Sequence, residues 1–291
     1  MKKNGLTLSM IFEAESGNYG EGTGNITTLK HMTRAGGKTY TYFSRQAIRY
    51  SMIQQLQWDK TPVEASGSGE KTVVQFQPKA SVKDYPEIDL FGYMKTAAGN
   101  NANTRSAVVR LSNAVSLEPY AADMDFLTNM GLSKRAEKGT SNAIAQSEIH
   151  HSFYAYTITI DLDRIGVDEN DGTELPSEER SKRVTDFLSC VEFLYRDIKG
   201  RRENLAPVFA IGGVYEHKSP FFENRIKLTN GKLNVDILAE TEKAVNEPTM
   251  VGYIDGEFSN SDEIKEKLAP VSIAELFNHL KAQVEDSYAG R

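Results

Sequence analysis

Between Phe153 and Leu162, Tyr154, Tyr156, Ile158, Ile160 and Leu162 fall on one side of a two-residue repeat, with Thr157, Thr159 and Asp161 on the other. Successive side chains of an extended chain point to opposite sides, so this run predicts a strand with one apolar face. The period then changes. Val184, Phe187, Leu188, Val191, Leu194, Tyr195 and Ile198 recur at three- and four-residue steps. That stripe predicts a helix from Ser177 to Lys199, with Gly200 as its stop. A chain holding both periods is read as α+β.

The flanking sequence fills in the order. Leu6, Leu8, Met10 and Phe12 alternate with Thr7, Ser9 and Glu13, a half-buried strand. Gly17 to Asn25 is glycine-rich and reads as a flexible loop. Ser44 caps a predicted helix that buries Ile48, Met52 and Leu56. Ser66-Gly67-Ser68-Gly69 is a surface loop before a strand at Thr72 to Gln77, and Val108 to Leu117 is another strand. Glu118 to Glu148 lose periodicity and read as an inserted arm. Leu205 to Ile211 is a buried strand, and Asn230-Gly231 a hairpin turn. Ser272 with Glu275 is a capping box opening a last helix that buries Leu276, Leu280 and Val284. The core order is strand, helix, strand, excursion, strand, helix, strand. That is a ferredoxin-like, or RNA-recognition-motif, βαββαβ arrangement expanded by insertions. With 291 residues, 39% of them hydrophobic, it is read as one domain over 1–291 with insertions near 60–95 and 114–148.

Charge narrows the function. From Gly22 to Trp58 the chain runs 37 residues without a carboxylate while carrying Lys30, Arg34, Lys38, Arg45 and Arg49. Average acidic content would place about five there. A second acid-free window, Leu90 to Leu117, holds Lys95, Arg105 and Arg110. The whole chain is nevertheless acidic, with a formal charge of −6. Asp161 to Arg180 holds eight carboxylates, and Asp236 to Lys267 nine. Net acidity argues against indiscriminate coating of DNA or membrane. Screening over about 8 Å still lets a local basic track act on its own. The acid-free windows point to a polyanion.

Within the track, Ser44-Arg45-Gln46-Ala47-Ile48-Arg49 opens a helix, and Arg45 and Arg49, four apart, share one side of it. A helix N-terminus offers backbone N–H groups and a positive dipole end to phosphate. Arg34-Ala35-Gly36-Gly37-Lys38 is a turn with two more cations. These residues also fit an amphipathic helix with solvated arginines; the missing acids favour phosphate. Gly200-Arg201-Arg202-Glu203-Asn204 fits either a phosphate or base-edge grip or cations neutralising a helix C-terminus. Tyr40, Tyr42, Phe43 and Tyr50 offer rings for base stacking, with core packing expected of at least half of them.

Other chemistry finds little footing. No run of about 18 apolar residues occurs, so no membrane span is expected. The opening Met1 to Phe12 is too polar and short for a secretory signal. The single Cys190 excludes an intramolecular disulfide, fits a reducing cytoplasm, and reads as an inert core thiol. No two of His31, His150, His151, His217 and His279 share a helical metal spacing, so neither metal nor cofactor is expected. Gly36-Gly37-Lys38-Thr39 lacks the first glycine of a P-loop, because position 32 is Met32, and an extended run follows it. Gly20, Gly22 and Gly24 miss the dinucleotide spacing. His31 could serve a ribonuclease as general base, but no acid–base partner is identifiable.

Several of these segments together resemble a known family. They are Gly5-Leu6-Thr7-Leu8-Ser9-Met10-Ile11, Gly36-Gly37-Lys38, Phe43-Ser44-Arg45-Gln46-Ala47-Ile48-Arg49 and Asp89-Leu90-Phe91-Gly92. The Arg110 to Pro119 run, the Glu148 to Leu162 strand and Lys199 to Pro207 complete the set. Over most of residues 5–215 the chain resembles the backbone subunit of CRISPR type I interference (Cascade) complexes, in the DevR autoregulator branch of type I-B systems. The resemblance implies a modified RNA-recognition-motif palm, a finger insertion at about 60–95, and a thumb between Ala114 and Glu148 that displaces a base of the guide at regular intervals. It implies a cytoplasmic antiviral protein stacking with further copies of itself along a guide RNA (crRNA). Target DNA would be reached through the guide, beside a large subunit and a guide 5′-end-capping subunit. The RNA-binding residues it implies are Ser44, Arg45, Gln46 and Arg49, with Lys38 from the turn and Arg201 and Arg202 from the later loop. Arg34, Arg105, Arg110 and Asn204 join them as candidates from the basic track and the Gly-Arg loop. Related type III subunits cut RNA with an aspartate near the first helix. Gly22 to Trp58 contains none, so no catalytic residue is expected. The alternatives are a guide-processing endoribonuclease with His31 as base, or a DNA-binding autoregulator, for which no helix-turn-helix is evident.

Overall fold

The computed structural model describes residues 5–289 except 21, 23, 35, 67–71, 97–101, 129 and 136–143. Strand β1 spans Gly5–Ala14, β2 His31–Thr33 and β3 Thr39–Phe43; Ser44 then caps α1, Arg45–Leu56. After α2 (Pro86–Phe91) come β4 (Val109–Leu111) and β5 (Ala114–Ser116). Next are β6 (Ser152–Asp161), α3 (Ser177–Glu192) and β7 (Phe209–Tyr215). The chain closes with α4 (Val235–Val245), β8 (Met250–Tyr253), α5 (Ser261–Leu268) and α6 (Ile273–Ala289). The main sheet runs β8-β7-β1-β6-β5-β3-β2, with β4 also on β6, and every pairing is antiparallel. The fold is mixed α/β around an antiparallel sheet.

At its centre β1 pairs with β6 over ten residues, Gly5 opposite Asp161 through Ala14 opposite Ser152. One face carries Leu6, Leu8, Met10 and Phe12 with Tyr154, Tyr156, Ile158 and Ile160, packed under α1, α3 and α6. Phe12 stacks on Tyr154 at 5.7 Å and meets the edge of Phe43 at 5.3 Å. Such contacts contribute about 0.5–1.5 kcal/mol each beyond their buried area. The opposite face also has a core: Ile11, Phe209, Ile211, Val251 and Tyr253 pack with Phe222, Phe258, α4 and α5. The expected half-buried β1 is therefore buried on both faces, Glu13 excepted. The reason is its place in the middle of the sheet, with helices on both sides. Thr7 and Ser9 are satisfied there, by Ser219 O at 2.9 Å and Thr157 Oγ1 at 2.6 Å.

Three other expectations change. The strand expected from Val108 to Leu117 is interrupted. Leu111 opposes Ile158 and Val115 opposes Ala155, four steps against three, so one extra residue bulges out at Ser112-Asn113. Helix α3 stops at Glu192, and Tyr195–Ile198 instead forms a hairpin with Arg201–Asn204. Lys199 and Gly200 take φ values of 48° and 80°, the paired left-handed turn that suits twisted strands. The Gln55 side chain of α1 accepts Tyr195 N–H at 3.1 Å and donates to Phe193 O at 3.0 Å, holding the backbone extended there. Lastly, the glycine-rich loop is tied across itself, Gly20 N–H to Thr28 O at 2.8 Å and Lys30 N–H to Asn18 O at 2.7 Å. The strand expected at Thr72 to Gln77 forms at Val73–Phe76 and pairs with Val63–Ser66 outside the main sheet. Positions 67–69 of the expected surface loop lie outside the described residues.

The excursion after β5 is an antiparallel pair, Asp123–Thr128 with Ile144–Ile149, joined by Ile26–Thr27 in parallel on Gln146–Ser147. Asn230-Gly231 turns a short hairpin, and Ser272 Oγ accepts Glu275 N–H at 3.2 Å at the start of α6.

Candidate nucleic-acid interface

The start of α1 is built by three side chains. Ser44 Oγ accepts Ala47 N–H at 3.2 Å, Asn113 Oδ1 from the bulge accepts Arg45 N–H at 2.9 Å, and Asn18 Oδ1 accepts Ser44 N–H at 3.1 Å. A helix leaves its first N–H groups without intrahelical partners. Three of the first four, those of Ser44, Arg45 and Ala47, are thus satisfied within the protein, and Gln46 N–H is left over among the described residues. The expected row of free donors narrows to one. The side chains of Arg45, Gln46 and Arg49 are exposed around it.

The β2–β3 turn lies in the same part of the chain. Arg34 N–H donates to Lys38 O at 3.0 Å and Gly37 N–H to Arg34 O at 3.2 Å, with Gly36 and Gly37 at φ 84° and 71°. Only glycine adopts such a pair without strain. Arg34 lies 5.3 Å over the Tyr40 ring, and Arg49 lies 5.6 Å over the Phe91 ring. Arg34, Lys38, Arg45 and Arg49 are all exposed, and none forms an ion pair with a described carboxylate.

The remaining cations behave differently. Arg105 is buried, 2.8 Å from Asp89, and donates to the carbonyls of Val167, Asp89 and Arg164. Asp89 also holds Arg183 at 2.9 Å and accepts Gly166 N–H at 2.9 Å. Arg105 therefore leaves the list of residues able to meet a polyanion: Asp89, one position outside the acid-free window, folds under it. Lys95 turns inward as well, onto Ala80 O and the Tyr93 ring, and burial lowers its pKa. Arg110 pairs with Asp161 at 2.9 Å and stays half exposed.

Arg201 is shared between Glu15 and Glu203, each at 2.9 Å, and also bonds Ser16 Oγ. Arg202 grips Asp197 with two bonds, 2.8 and 3.0 Å, and lies 4.3 Å over Tyr195. Asn204 Oδ1 accepts Ala206 N–H at 3.0 Å within its own turn. Glu203 organises this hairpin. Burial opposes its charge, yet the Arg196 guanidinium at 2.6 Å and the N–H groups of Ser16 and Glu15 hold its pKa below the usual carboxylate range. Arg196 reaches Gly17 O at 2.8 Å and covers Phe43 at 4.4 Å, so the hairpin is pinned to β3 and to the end of β1. Glu87 of α2 acts electrostatically on Arg49, but none of the four cations at α1 and the β2–β3 turn is held in an ion pair, whereas Arg201 and Arg202 of the later hairpin are.

Asn18 and Asn113 were not among the sequence candidates. The signal for Asn113 was the polar pair Ser112-Asn113 interrupting an apolar run. Of the four rings considered, Phe43 is core, Tyr40 lies under Arg34, and Tyr50 is exposed. Cys190 is buried against Met52 O, and burial pushes its thiol up to about 12. His31 Nε2 lies 3.4 Å from Glu148 Oε2, with its ring 4.5 Å from Tyr120. Among the described residues no three His, Cys, Asp or Glu side chains gather as metal ligands, and no helix is long and apolar enough to cross a membrane.

A family model described as "CRISPR-associated negative auto-regulator DevR/Csa2" matches residues 6–235. The chain belongs to the DevR/Csa2 family. A curated relative from Myxococcus xanthus (strain DK1622), "CRISPR-associated protein Cas7/Cst2/DevR", is 28% identical over 158 residues. That match covers 49% of this chain and 52% of the relative, so the chain spans about half the length of the curated relative it matches. Two solved structures share the fold. A chain of a "CRISPR RNA-guided surveillance complex, pre-nicking" superposes with a TM-score of 0.61 at 12% identity, covering 96% of this chain and 100% of that one. A chain of a "CRISPR RNA-guided surveillance complex" gives 0.58 at 15% identity, covering 96% and 98%. The DevR/Csa2 match ends at the first residue of α4, so the whole acid-rich segment from Asp236 to Lys267 lies beyond it.

Proposed function

We propose that this chain is a non-catalytic, guide RNA (crRNA)-binding backbone subunit of a CRISPR type I complex. Further copies of it would stack along one guide and present that guide to target DNA. Membership of the DevR/Csa2 family and the fold shared with surveillance-complex chains support this reading. The observation that carries it is local: Arg45 and Arg49 at the start of α1 and Arg34 and Lys38 in the β2–β3 turn are exposed and form no ion pair with a described carboxylate, Glu87 acting on Arg49 only at longer range. The core is read as an RNA-recognition-motif-like palm. Its central strands stand in the order β7-β1-β6-β5, with α1 leading from β1 to the β4–β5 side and α3 from β6 to β7. The hairpin Asp123–Thr128 with Ile144–Ile149 serves as the thumb, and the Val63–Phe76 and Tyr93–Arg105 hairpins serve as fingers. A large subunit and a guide 5′-end-capping subunit would flank the filament.

The test is Arg45→Glu with Arg49→Glu. A folded double variant should lose RNA binding by at least about 10²-fold in filter binding at moderate salt. Arg201→Glu with Arg202→Glu should cost less, because carboxylates already hold both side chains. Wild-type RNA affinity in the folded Arg45/Arg49 variant would reject the assignment. Two further arms address the alternatives. His31→Ala should leave precursor RNA as intact as the wild-type protein does. Tight sequence-specific binding of duplex DNA without guide RNA would instead favour an autoregulator.

A further inference from the structure

The two faces of the sheet are covered unequally. Helices α1, α3 and α6 close one face; α4, α5, Phe222 and Phe258 close the other over β1, β7 and β8 and reach Phe153 and Ala155 of β6. Past that edge, along Val115 of β5 and Thr157 of β6, the second face opens. A cleft of about 510 Å³ lies there, between the strands and the segment Phe222 to Lys227. Sites for small organic groups usually measure about 300–1,000 Å³.

Its lining is graded. Val115 and Ala155 give an apolar floor, Asn113 lies at the α1 side, Asn224 and Lys227 stand on the opposite wall, and Arg34 reaches the rim. Glu223 is the one carboxylate lining it. An apolar floor suits the face of a nucleobase. A carboxamide both donates and accepts, as the edge of a base does. Asn113 uses its oxygen on Arg45 N–H, which leaves its amide nitrogen. The Asn224 side chain is exposed with no partner among the described residues, on a backbone held at φ 62°. Neither Arg34 nor Lys227 is ion-paired with a described carboxylate, so both remain available to phosphate. The cleft is also continuous with the start of α1, because Asn113 caps that helix and Arg34 belongs to the same basic turn.

We infer that this cleft receives one nucleotide of the bound single strand, its base on the Val115–Ala155 floor between Asn113 and Asn224, and its phosphate between Arg34 and Lys227. The inference rests on the proposed RNA-binding function and extends it from the backbone track to a base-sized site.

Photo-crosslinking of the full chain tests it, using RNAs that carry a single 4-thiouridine stepped along the strand. At least one position should crosslink to the peptide holding Asn224 and Lys227. Asn224→Ala with Lys227→Ala should lose that crosslink and weaken RNA binding at least about tenfold, while circular dichroism and the melting temperature stay near wild type. RNA that binds at wild-type affinity with crosslinks confined to α1 and the β2–β3 turn would overturn the cleft while leaving the proposed function standing. No RNA binding by the wild-type chain would overturn both. A double variant that loses its fold is replaced by Lys227→Gln alone, for which the same loss of crosslink is required.

Discussion

Asp89 is the residue on which the Pro86–Arg105 region hangs. Its buried carboxylate takes Arg105, Arg183 and the N–H of Gly166, linking α2, the Tyr93–Arg105 hairpin, the turn after β6 and α3. Removing one partner of a buried ion cluster leaves charge uncompensated and costs about 3–5 kcal/mol. Asp89→Ala should therefore lower the free energy of unfolding, read from the urea midpoint and slope, by an amount of that order, whereas Arg202→Ala, on an exposed pair, should cost under about 1 kcal/mol. His150 gives a pH signature. Its Nδ1 lies 2.7 Å from Thr41 Oγ1, and Tyr120 and Tyr154 crowd its ring. Burial lowers its pKa, while Glu118 and Pro119 O act to raise it and His31 and His151 act with burial. The unfolded chain then binds more protons than the native one, so stability rises with pH. Its contribution falls away as pH drops through about 6.5, the unfolded value. His150→Gln should flatten the melting temperature between about pH 7 and 5 relative to wild type.

The elements divide by how much of their character is local. Helix α1 is announced by its own residues: Ser44 caps it, and Ile48 and Met52 line its buried side. Ser44→Ala should cost about 1 kcal/mol, read by thermal melting. Asn230-Gly231 is likewise a turn by its own chemistry. Lys199-Gly200 is the same kind of turn, but the apolar stripe before it keeps a helical spacing through Ile198. What ends α3 early is Gln55, more than a hundred residues upstream, which bonds both Phe193 and Tyr195. No window of neighbouring residues carries that information. A methyl group at Gly200 would meet no atom within 4 Å, so Gly200→Ala should cost only the backbone strain at φ 80°, about 1–2 kcal/mol.

Across the whole molecule the acids hold their own cations. Lys243, Lys265 and Lys267 are paired with Glu240, Asp255, Asp236 and Glu263, and Arg201 and Arg202 are paired in their hairpin. Among the described residues Arg34, Lys38, Arg45 and Arg49, at α1 and the β2–β3 turn, are cations without such an ion pair, as is Lys227 at the cleft. A protein that binds through them should release counterions there. Replacing Arg45 and Arg49 by glutamine should reduce the slope of log affinity against log salt by about 1.4, at about 0.7 per single-strand phosphate contact. Lengthening the RNA should raise the mass of the complex in whole-subunit steps, measured by light scattering.

Periods, caps and turn dipeptides act between neighbours, and so β1, β6, α1, α6 and the acid-free stretch at Arg34 to Arg49 could be read directly from the chain. The elements between and after them, such as α2, α4, β8 and α5, were not read there. Which cations remain free could not be read there either. Arg105 and Arg45 look alike in sequence, each far from any carboxylate along the chain, yet Asp89 neutralises one and no described carboxylate reaches the other. Ion pairs, bulges and open sheet faces depend on distances in space between segments separated by tens to hundreds of residues. Only the packed fold sets those distances.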